Sequence, residues 1–118
     1  MIFASYLKAA NSAGLFELKN DGMVLYSRFR LNNRVVNSGS ELTGQNFFEE
    51  IADFDNVKDL RQIFNRFVES RQFTDNFLFT CLFSEGAVPV RVTMVRAFEN
   101  SYPEHNDIVI LDIRNSAY

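Results

Sequence analysis

The clearest pattern lies in the second half of the chain, where side chains of similar type recur at every second residue. It runs from Phe73 to Phe83 and again from Val88 to Phe98, with a turn at Ser84–Gly86 between the two runs. Because successive side chains of a strand point to opposite faces, this spacing predicts two long strands joined as a β-hairpin. A shorter apolar run, Ile108–Ile113, predicts a final strand.

Two other segments have apolar residues at helical spacing. Residues 1–12 are predicted to form an amphipathic helix, through Phe3, Tyr6, Leu7 and Ala10. A longer helix is predicted from about Asn56 to Arg71, capped by Asp55 or Asn56. Its apolar positions are Val57, Leu60, Phe64, Phe67 and Val68.

The segment between these helices begins with a second hairpin signal. Short β-type runs at Leu15–Leu18 and Met23–Ser27 are joined by Lys19–Gly22, which ends in Asp-Gly. Both residues of that pair tolerate positive φ, so the two runs are predicted to be antiparallel neighbours. The following stretch, Arg28–Gly39, mixes turn-forming and apolar residues and predicts irregular structure or a short helix.

These elements together predict an α+β fold with a five-stranded antiparallel sheet and helices packed on one face. Leu78 and Leu82 lie opposite the phenylalanines of their strand, so the other face also carries apolar side chains. The N-terminal helix is predicted to cover that face or to lie at a dimer interface. The expected interface residues are Phe3, Tyr6, Leu7, Leu78 and Leu82. Residues 13–114 then form one domain, and residues 115–118 a tail or the start of a linker.

Composition adds an aromatic core to this picture. The chain has 118 residues, 47% of them hydrophobic, with 13 Phe and no Trp. Three of these phenylalanines fall in the short segment Leu42–Phe54, which also holds a turn glycine and a short helical piece. A core of this kind can be filled by its own rings or can enclose an apolar ligand. The predicted pocket residues are Phe47, Phe48, Phe54, Phe64, Phe77 and Phe79.

Charge and cysteine content exclude several classes of function. The net charge is −3 and the twelve Lys and Arg are scattered along the sequence, which argues against nucleic acid as a partner. A single cysteine excludes an internal disulfide and a multi-cysteine zinc site. No apolar run is long enough to cross a bilayer, so no membrane partner is expected and the predicted location is cytoplasmic.

No residue pattern indicates catalysis or a metal centre. The only histidine, His105, falls in a predicted loop near Pro103, without Ser or Cys in a nucleophile motif. The carboxylates of Glu49, Glu50 and Asp53 are expected to form a solvated face at a helix start. The inward strand positions are all apolar, which argues against acid–base chemistry in a cavity. The sequence therefore predicts that the chain is not an enzyme.

The order of elements, and the residues Gly44–Ala52 in particular, resemble one family. The segment reads GQNFFEEIA, and the similarity extends over roughly Asp21 to Ile113. This chain resembles the photoactive yellow protein-like branch of PAS sensor domains. The resemblance implies a PAS fold and a role in signal transduction.

The same resemblance implies that the chain lacks the cofactors of its relatives. Phe54 stands where photoactive members carry the cysteine of a hydroxycinnamoyl thioester, and Ser27 and Leu31 stand where they carry a tyrosine and a glutamate. No flavin-type motif or axial haem histidine is found on the central helix, so no cofactor is predicted. Cys81 is predicted to be a small buried hydrophobic residue of its strand.

A non-catalytic sensory or regulatory module is therefore the preferred prediction, acting through ligand-dependent or interface-dependent protein contacts. Its expected partners are a second copy in a homodimer and an output domain or signalling protein. The C-terminal residues Leu111–Arg114 resemble the junction at which many PAS domains lead to an output domain. Two alternatives remain open: a purely structural dimerisation or docking domain, and a small carrier of apolar ligands.

Overall fold

The computed structural model describes residues 6–32, 34–37, 40–98 and 107–116. Over these residues, six antiparallel strands form one sheet in the order β3-β2-β1-β6-β5-β4. The strands are β1 (Ser12–Lys19), β2 (Val24–Leu31), β3 (Arg34–Asn37), β4 (Thr74–Phe83), β5 (Gly86–Phe98) and β6 (Asp107–Asn115). The helical elements are a 3₁₀ turn (Ser40–Leu42), a π-helix (Phe47–Ile51) and the helix α1 (Val57–Glu69).

One face of the sheet, the inner face, is covered by the helical elements and forms the core. Alternate residues of the central strands point to this face and are fully buried, whereas their neighbours point outward. Each such Val, Leu, Ile, Phe or Met contributes about 1.5–3 kcal/mol relative to an exposed position. They include Phe16, Leu18, Val90, Val92, Met94, Val109, Leu111 and Ile113. The antiparallel pairings confirm both predicted hairpins, β1–β2 from its Asp-Gly turn and β4–β5 from its alternation.

The helix α1 is the predicted long helix, with Leu60, Phe64 and Phe67 buried against the sheet. Asn56 stands at the predicted N-cap position, but the prediction that it caps the helix was wrong, because its side chain makes no cap hydrogen bond. Its Nδ2 instead donates to the Thr80 carbonyl at 2.8 Å, and its Oδ1 accepts from the Leu82 N–H at 3.0 Å. Asn56 thus satisfies backbone groups on the edge strand β4, where a neighbouring strand would otherwise be needed.

The prediction of five strands was wrong, since the structure has six. The additional strand is β3, within the stretch expected to be irregular or helical. The chain reverses after β2 at Asn32, whose φ is +52°, and β3 then pairs with β2 at the edge of the sheet. Val35 and Val36 are 52% and 53% exposed there, so they extend the sheet without joining the core.

Tyr6 and Leu7 of the N-terminal segment lie on the inner face and not on the opposite face, which was one of the two predicted places beside a dimer interface. The Tyr6 ring packs edge-on against Phe29 at 5.1 Å between centroids, and Phe29 in turn packs against Phe16 in the core. Leu7 is fully buried, and its carbonyl accepts a hydrogen bond from Asn115 Nδ2. The segment follows the core because both side chains find apolar partners there. Phe3, with the rest of residues 1–5, lies outside the described residues.

The outer face of the sheet is consequently not covered by any described segment of the chain. Leu78 and Leu82 point to this face, 66% and 44% exposed. Within the described ranges, no helix is both long and apolar enough to cross a membrane. His105 and Pro103 fall in the range 99–106, outside the described residues.

Candidate functional site

The π-helix is fixed in place by Asn46, the residue that precedes it. The Asn46 side-chain oxygen accepts hydrogen bonds from the N–H groups of Phe48 and Glu49 at 3.0 and 3.2 Å. In return, Glu50 accepts a hydrogen bond from the Asn46 N–H at 2.6 Å. These reciprocal bonds satisfy backbone donors that a helix start leaves unpaired.

Asn46 also ties this helix to the first hairpin. Its Nδ2 donates to the carbonyl of Asp21, in the β1–β2 turn, at 2.9 Å. The Phe47 N–H donates to the Gly22 carbonyl at 2.9 Å, so two bonds join the same turn to the helix start. The two phenylalanines of the π-helix are therefore held over the inner face of the sheet.

Three of the six predicted pocket residues form one continuous cluster. The rings of Phe47 and Phe48 lie 5.1 Å apart, and Phe48 lies 4.9 Å from Phe64 of α1. All three are at most 4% exposed. The cluster extends to Phe16 of β1, whose ring is 4.7 Å from Phe47.

The other predicted pocket residues do not join that cluster. Phe54 is buried and packs edge-on against Phe79 at 6.1 Å, and against Phe83 at 6.2 Å. Phe77 is half-buried, with no ring contact among the described residues. Five of the six predicted pocket residues therefore belong to two separate groups of rings, one under the π-helix and one beside the β4–β5 hairpin, and Phe77 belongs to neither.

Sequence reasoning missed the contribution of the first hairpin to the aromatic cluster. Phe16 and Phe29 are both almost fully buried and pack edge-on at 5.6 Å. The signal was present, because Phe16 and Leu18 alternate on β1, but the spacing alone could not assign them to the face that holds Phe47.

The buried thiol of Cys81 is not activated as a nucleophile. Burial, with a smaller contribution from the charge of Asp53, raises the pKa of Cys81 from 9.0 to about 12. The reactive form of a cysteine is the thiolate, so this side chain is a neutral thiol at physiological pH. In the described part of the chain, no group of three or more His, Cys, Asp or Glu residues is placed to bind a metal ion.

Exposed apolar side chains meet on the outer face at the tip of the β4–β5 hairpin. Leu82 lies opposite Ala87, Thr80 lies opposite Pro89, and Leu78 follows on the same face. Four exposed residues, Leu78, Leu82, Ala87 and Pro89, make up this hairpin patch. Apolar patches of this kind are typical of protein interfaces.

Comparison with solved structures identifies the fold. No protein-family model and no curated protein matches the chain. The chain is similar to the crystal structure of the photoactive yellow protein domain from the sensor histidine kinase Ppr of Rhodospirillum centenum. That match covers 98% of this chain and 100% of the domain, with a TM-score of 0.57 and 22% sequence identity. The chain has the PAS fold of a photoactive yellow protein domain. The resemblance stated above is thereby confirmed for the fold.

The three positions at which the resemblance implies a lost chromophore contact lie in or beside the core of this PAS fold. Phe54, at the expected cysteine position, is 2% exposed. Ser27 is fully buried on β2, opposite Phe16 of β1. Leu31 is half-buried at the end of β2. The chain thus presents a ring, a hydroxyl and an alkyl group where the resemblance would require a thiol, a phenol and a carboxyl group.

Proposed function

We propose that this chain is a sensory or regulatory PAS module that acts through protein–protein contacts and has no catalytic activity of its own. The observation that carries the proposal is the fold, since the chain matches the photoactive yellow protein domain of a sensor histidine kinase along nearly its whole length. In such a module, a signal shifts the population between two arrangements of an interface. The expected contacts are a second copy of the chain and an output domain or separate signalling protein.

The proposed module carries no covalent hydroxycinnamoyl chromophore, flavin or haem. Phe54 supports this proposal, because a ring packed against Phe79 has no group able to form a thioester. The pKa of Cys81 supports it too, since a neutral buried thiol is a poor nucleophile. An absorption spectrum of the purified chain without a visible band is the expected result.

The contact surface proposed for a second copy is the hairpin patch. Leu78 is 66% exposed, although a leucine gains about 1.5–3 kcal/mol when it is buried. Burial of the patch against its copy would recover this free energy. Because Tyr6 and Leu7 are occupied in the core, they are not part of this proposed interface.

Sedimentation equilibrium over a range of protein concentrations tests this interface. The Leu78→Glu variant is expected to raise the dimer dissociation constant by about tenfold or more, since burial of a charge opposes association. Thr74→Glu is the matched control, with the same charge on the same strand and face but four residues from Leu78. Equal effects of the two variants, or a monomeric parent protein at all concentrations, would contradict the proposed interface.

A purely structural docking domain is the second candidate, and the filled core supports it. Phe47, Phe48 and Phe64 pack on one another and are at most 4% exposed. If the core is filled by its own rings, a signal can act only at the surface of the domain. The two candidates differ in whether an apolar ligand binds near the less buried Phe77, which is tested below.

A further inference from the structure

Four arginines lie together on the outer face of the sheet, although they are far apart in the sequence. Across the strands β2, β1, β6 and β5, one row of outward positions holds Arg30, Ala13, Arg114 and Arg91. The adjacent row holds Arg28 on β2, Leu15 on β1 and Asp112 on β6. These two rows carry four positive charges and one negative charge on a chain whose net charge is −3.

Three of these arginines, Arg28, Arg30 and Arg114, line two hollows that share Ala13. A hollow of about 150 Å³ is lined by Ala13, Arg30 and Arg114 together with residues at the strand ends. A smaller one of about 40 Å³ shares these three residues and adds Arg28 and Asp112. Because Ala13 is small, space remains between the guanidinium groups of its two neighbours.

These guanidinium groups are only partly satisfied by the protein. Arg114 donates to Asp112 at 2.9 and 3.3 Å, and Arg91 donates to Asn76 at 2.8 Å. By contrast, Arg28 Nε is buried and has no hydrogen-bond partner in the described part of the chain. The exposed Arg30 side chain has neither a hydrogen bond nor an ion pair among the same residues. The exposed guanidinium group of Arg30 can therefore donate charge-assisted hydrogen bonds to an acceptor from outside.

We propose that this surface, the arginine patch of Arg28, Arg30 and Arg114, docks an acidic segment of a partner protein. This inference rests on the proposed function and deepens it, because it names the chemistry of one partner. A carboxylate of the segment occupies the hollow over Ala13 between Arg30 and Arg114. The planar guanidinium group matches a carboxylate through paired hydrogen bonds.

The shape of the patch favours a peptide segment over a single small anion. Adjacent strands lie about 4.8 Å apart, so the patch extends over about 10 Å from Arg30 to Arg114, and the row continues to Arg91. Leu15 points to the same face between Arg28 and Asp112 and supplies an apolar contact there. A segment in which acidic and apolar side chains alternate fits this arrangement.

Charge also argues against a second copy of the chain as the occupant. If two copies stacked this patch on itself, Arg30 and Arg114 of both would face like charges. Like charges brought together at an interface cost several kcal/mol. Arg91 lies directly opposite Leu78 of the hairpin patch, whereas Arg28 and Arg30 lie on β2, four strand positions from β4. A dimer formed through Leu78 therefore leaves Arg30 accessible.

Fluorescence anisotropy with a labelled peptide of alternating Glu and Leu tests the proposal on the full chain. Binding is expected for this peptide and not for one with Gln in place of Glu, and it should weaken as salt is added. Arg30→Gln is expected to raise the dissociation constant about tenfold, because a charge-assisted hydrogen bond is lost. Arg71→Gln, which removes the same charge from an exposed position next to α1, is the matched control and should change it less than about twofold.

A second variant separates the shape of the site from its charge. Ala13→Leu keeps all four arginines and fills the hollow, so it should weaken peptide binding as well. The proposal is overturned if the Glu peptide does not bind, or if Arg71→Gln weakens it as much as Arg30→Gln. It is also overturned if inorganic phosphate binds with the same dependence on Arg30 while the Glu and Gln peptides bind alike.

The oligomeric state shows which proposal has failed. If Arg30→Gln abolishes the dimer, the arginine patch is an interface between copies and the acidic-partner proposal is wrong. If the peptide does not bind but Leu78→Glu still dissociates the dimer, this inference fails and the proposed function stands.

Discussion

Gly22 and Phe48 approach so closely that no side chain fits at position 22. A Cβ built on Gly22 would lie 2.8 Å from Cδ2 of Phe48, and the Gly22 φ is +93°. The first hairpin turn and the π-helix thus pack directly on each other, in addition to the hydrogen bonds that Asn46 provides. This contact positions the aromatic cluster over the sheet.

Gly22→Ala is expected to destabilise the protein through both backbone strain and overpacking. The positive φ alone costs about 1–2 kcal/mol for a residue with a Cβ, and overpacking adds about 1–3 kcal/mol. Gly44→Ala is the control, because its φ is +89° but nothing lies within 4 Å of the added Cβ. Urea denaturation should therefore give a lower midpoint for Gly22→Ala than for Gly44→Ala, and equal midpoints would contradict the contact with Phe48.

Asn46 is expected to contribute to stability in two separable ways. Asn46→Ala removes the helix cap, worth about 1 kcal/mol, and the bond to the Asp21 carbonyl, worth about 0.5–1.5 kcal/mol. Asn46→Ser keeps a cap oxygen and loses the amide donor, so its free energy of unfolding should lie between those of Asn46→Ala and the parent protein. If Asn46→Ser were as unstable as Asn46→Ala, the cap would not matter.

Truncation of two phenylalanines distinguishes a filled core from a ligand pocket. Phe47→Ala removes a fully buried ring and should cost about 3–5 kcal/mol. Phe77→Ala removes a half-buried ring, and a loss of about 1–2 kcal/mol is expected from its smaller buried area. Thermal denaturation with and without added fatty acid or aromatic probes completes the test. Stabilisation by a probe that is lost in Phe77→Ala would favour the sensor with an apolar ligand over the docking domain.

Cys81 is expected to react with thiol reagents only when the protein opens. With the pKa raised from 9.0 to about 12, the thiolate fraction at pH 8 is lower by about a thousandfold than for an ordinary thiol, and burial slows access further. Labelling with an aromatic disulfide reagent should be slow in buffer and fast in urea. Rapid labelling of the folded protein would contradict the buried neutral thiol.

The same shift predicts the sign of a pH effect on stability. Between pH 9 and about 12 the unfolded chain loses the Cys81 proton while the folded chain retains it. The folded state then binds more protons, so this contribution to stability is complete below pH 9 and is lost as the pH rises above it. A Cys81→Ala variant should show a smaller decline in stability over this range than the parent protein.

The strands and the long helix could be predicted from the sequence because their signals are local. The hairpin is predicted by the alternation from Phe73 to Phe83 and from Val88 to Phe98, without information from other segments of the chain. The Asp-Gly of the first turn is similarly informative, and Gly22 has the positive φ that such a turn requires.

The errors occurred where an element depends on distant partners. β3 forms because β2 offers it a free edge, which Val35 and Val36 do not signal by themselves. Asn56 reads as a helix cap in the sequence, yet its side chain satisfies the edge of β4, more than twenty residues along the chain. Tyr6 and Leu7 have the spacing of an amphipathic helix, but the pattern cannot say which face of the sheet they contact.

The arginine patch is a further consequence of register that the sequence does not contain. Arg28 and Arg30 alternate on one strand, but Arg114 joins them only because β6 pairs with β1. Basic residues that are scattered along the chain therefore come together in the fold. The sequence-based exclusion of nucleic acid used net charge and spacing, and neither quantity predicts such a local cluster.

The central claim is that the chain acts through protein contacts and carries no covalent chromophore. Native mass spectrometry tests it most directly, when a denatured spectrum of the same freshly purified sample follows. The account predicts a dimer in the native spectrum and the bare chain mass of 13.6 kDa after denaturation. An added mass that survives denaturation, or a chain that stays monomeric at every concentration, would contradict it.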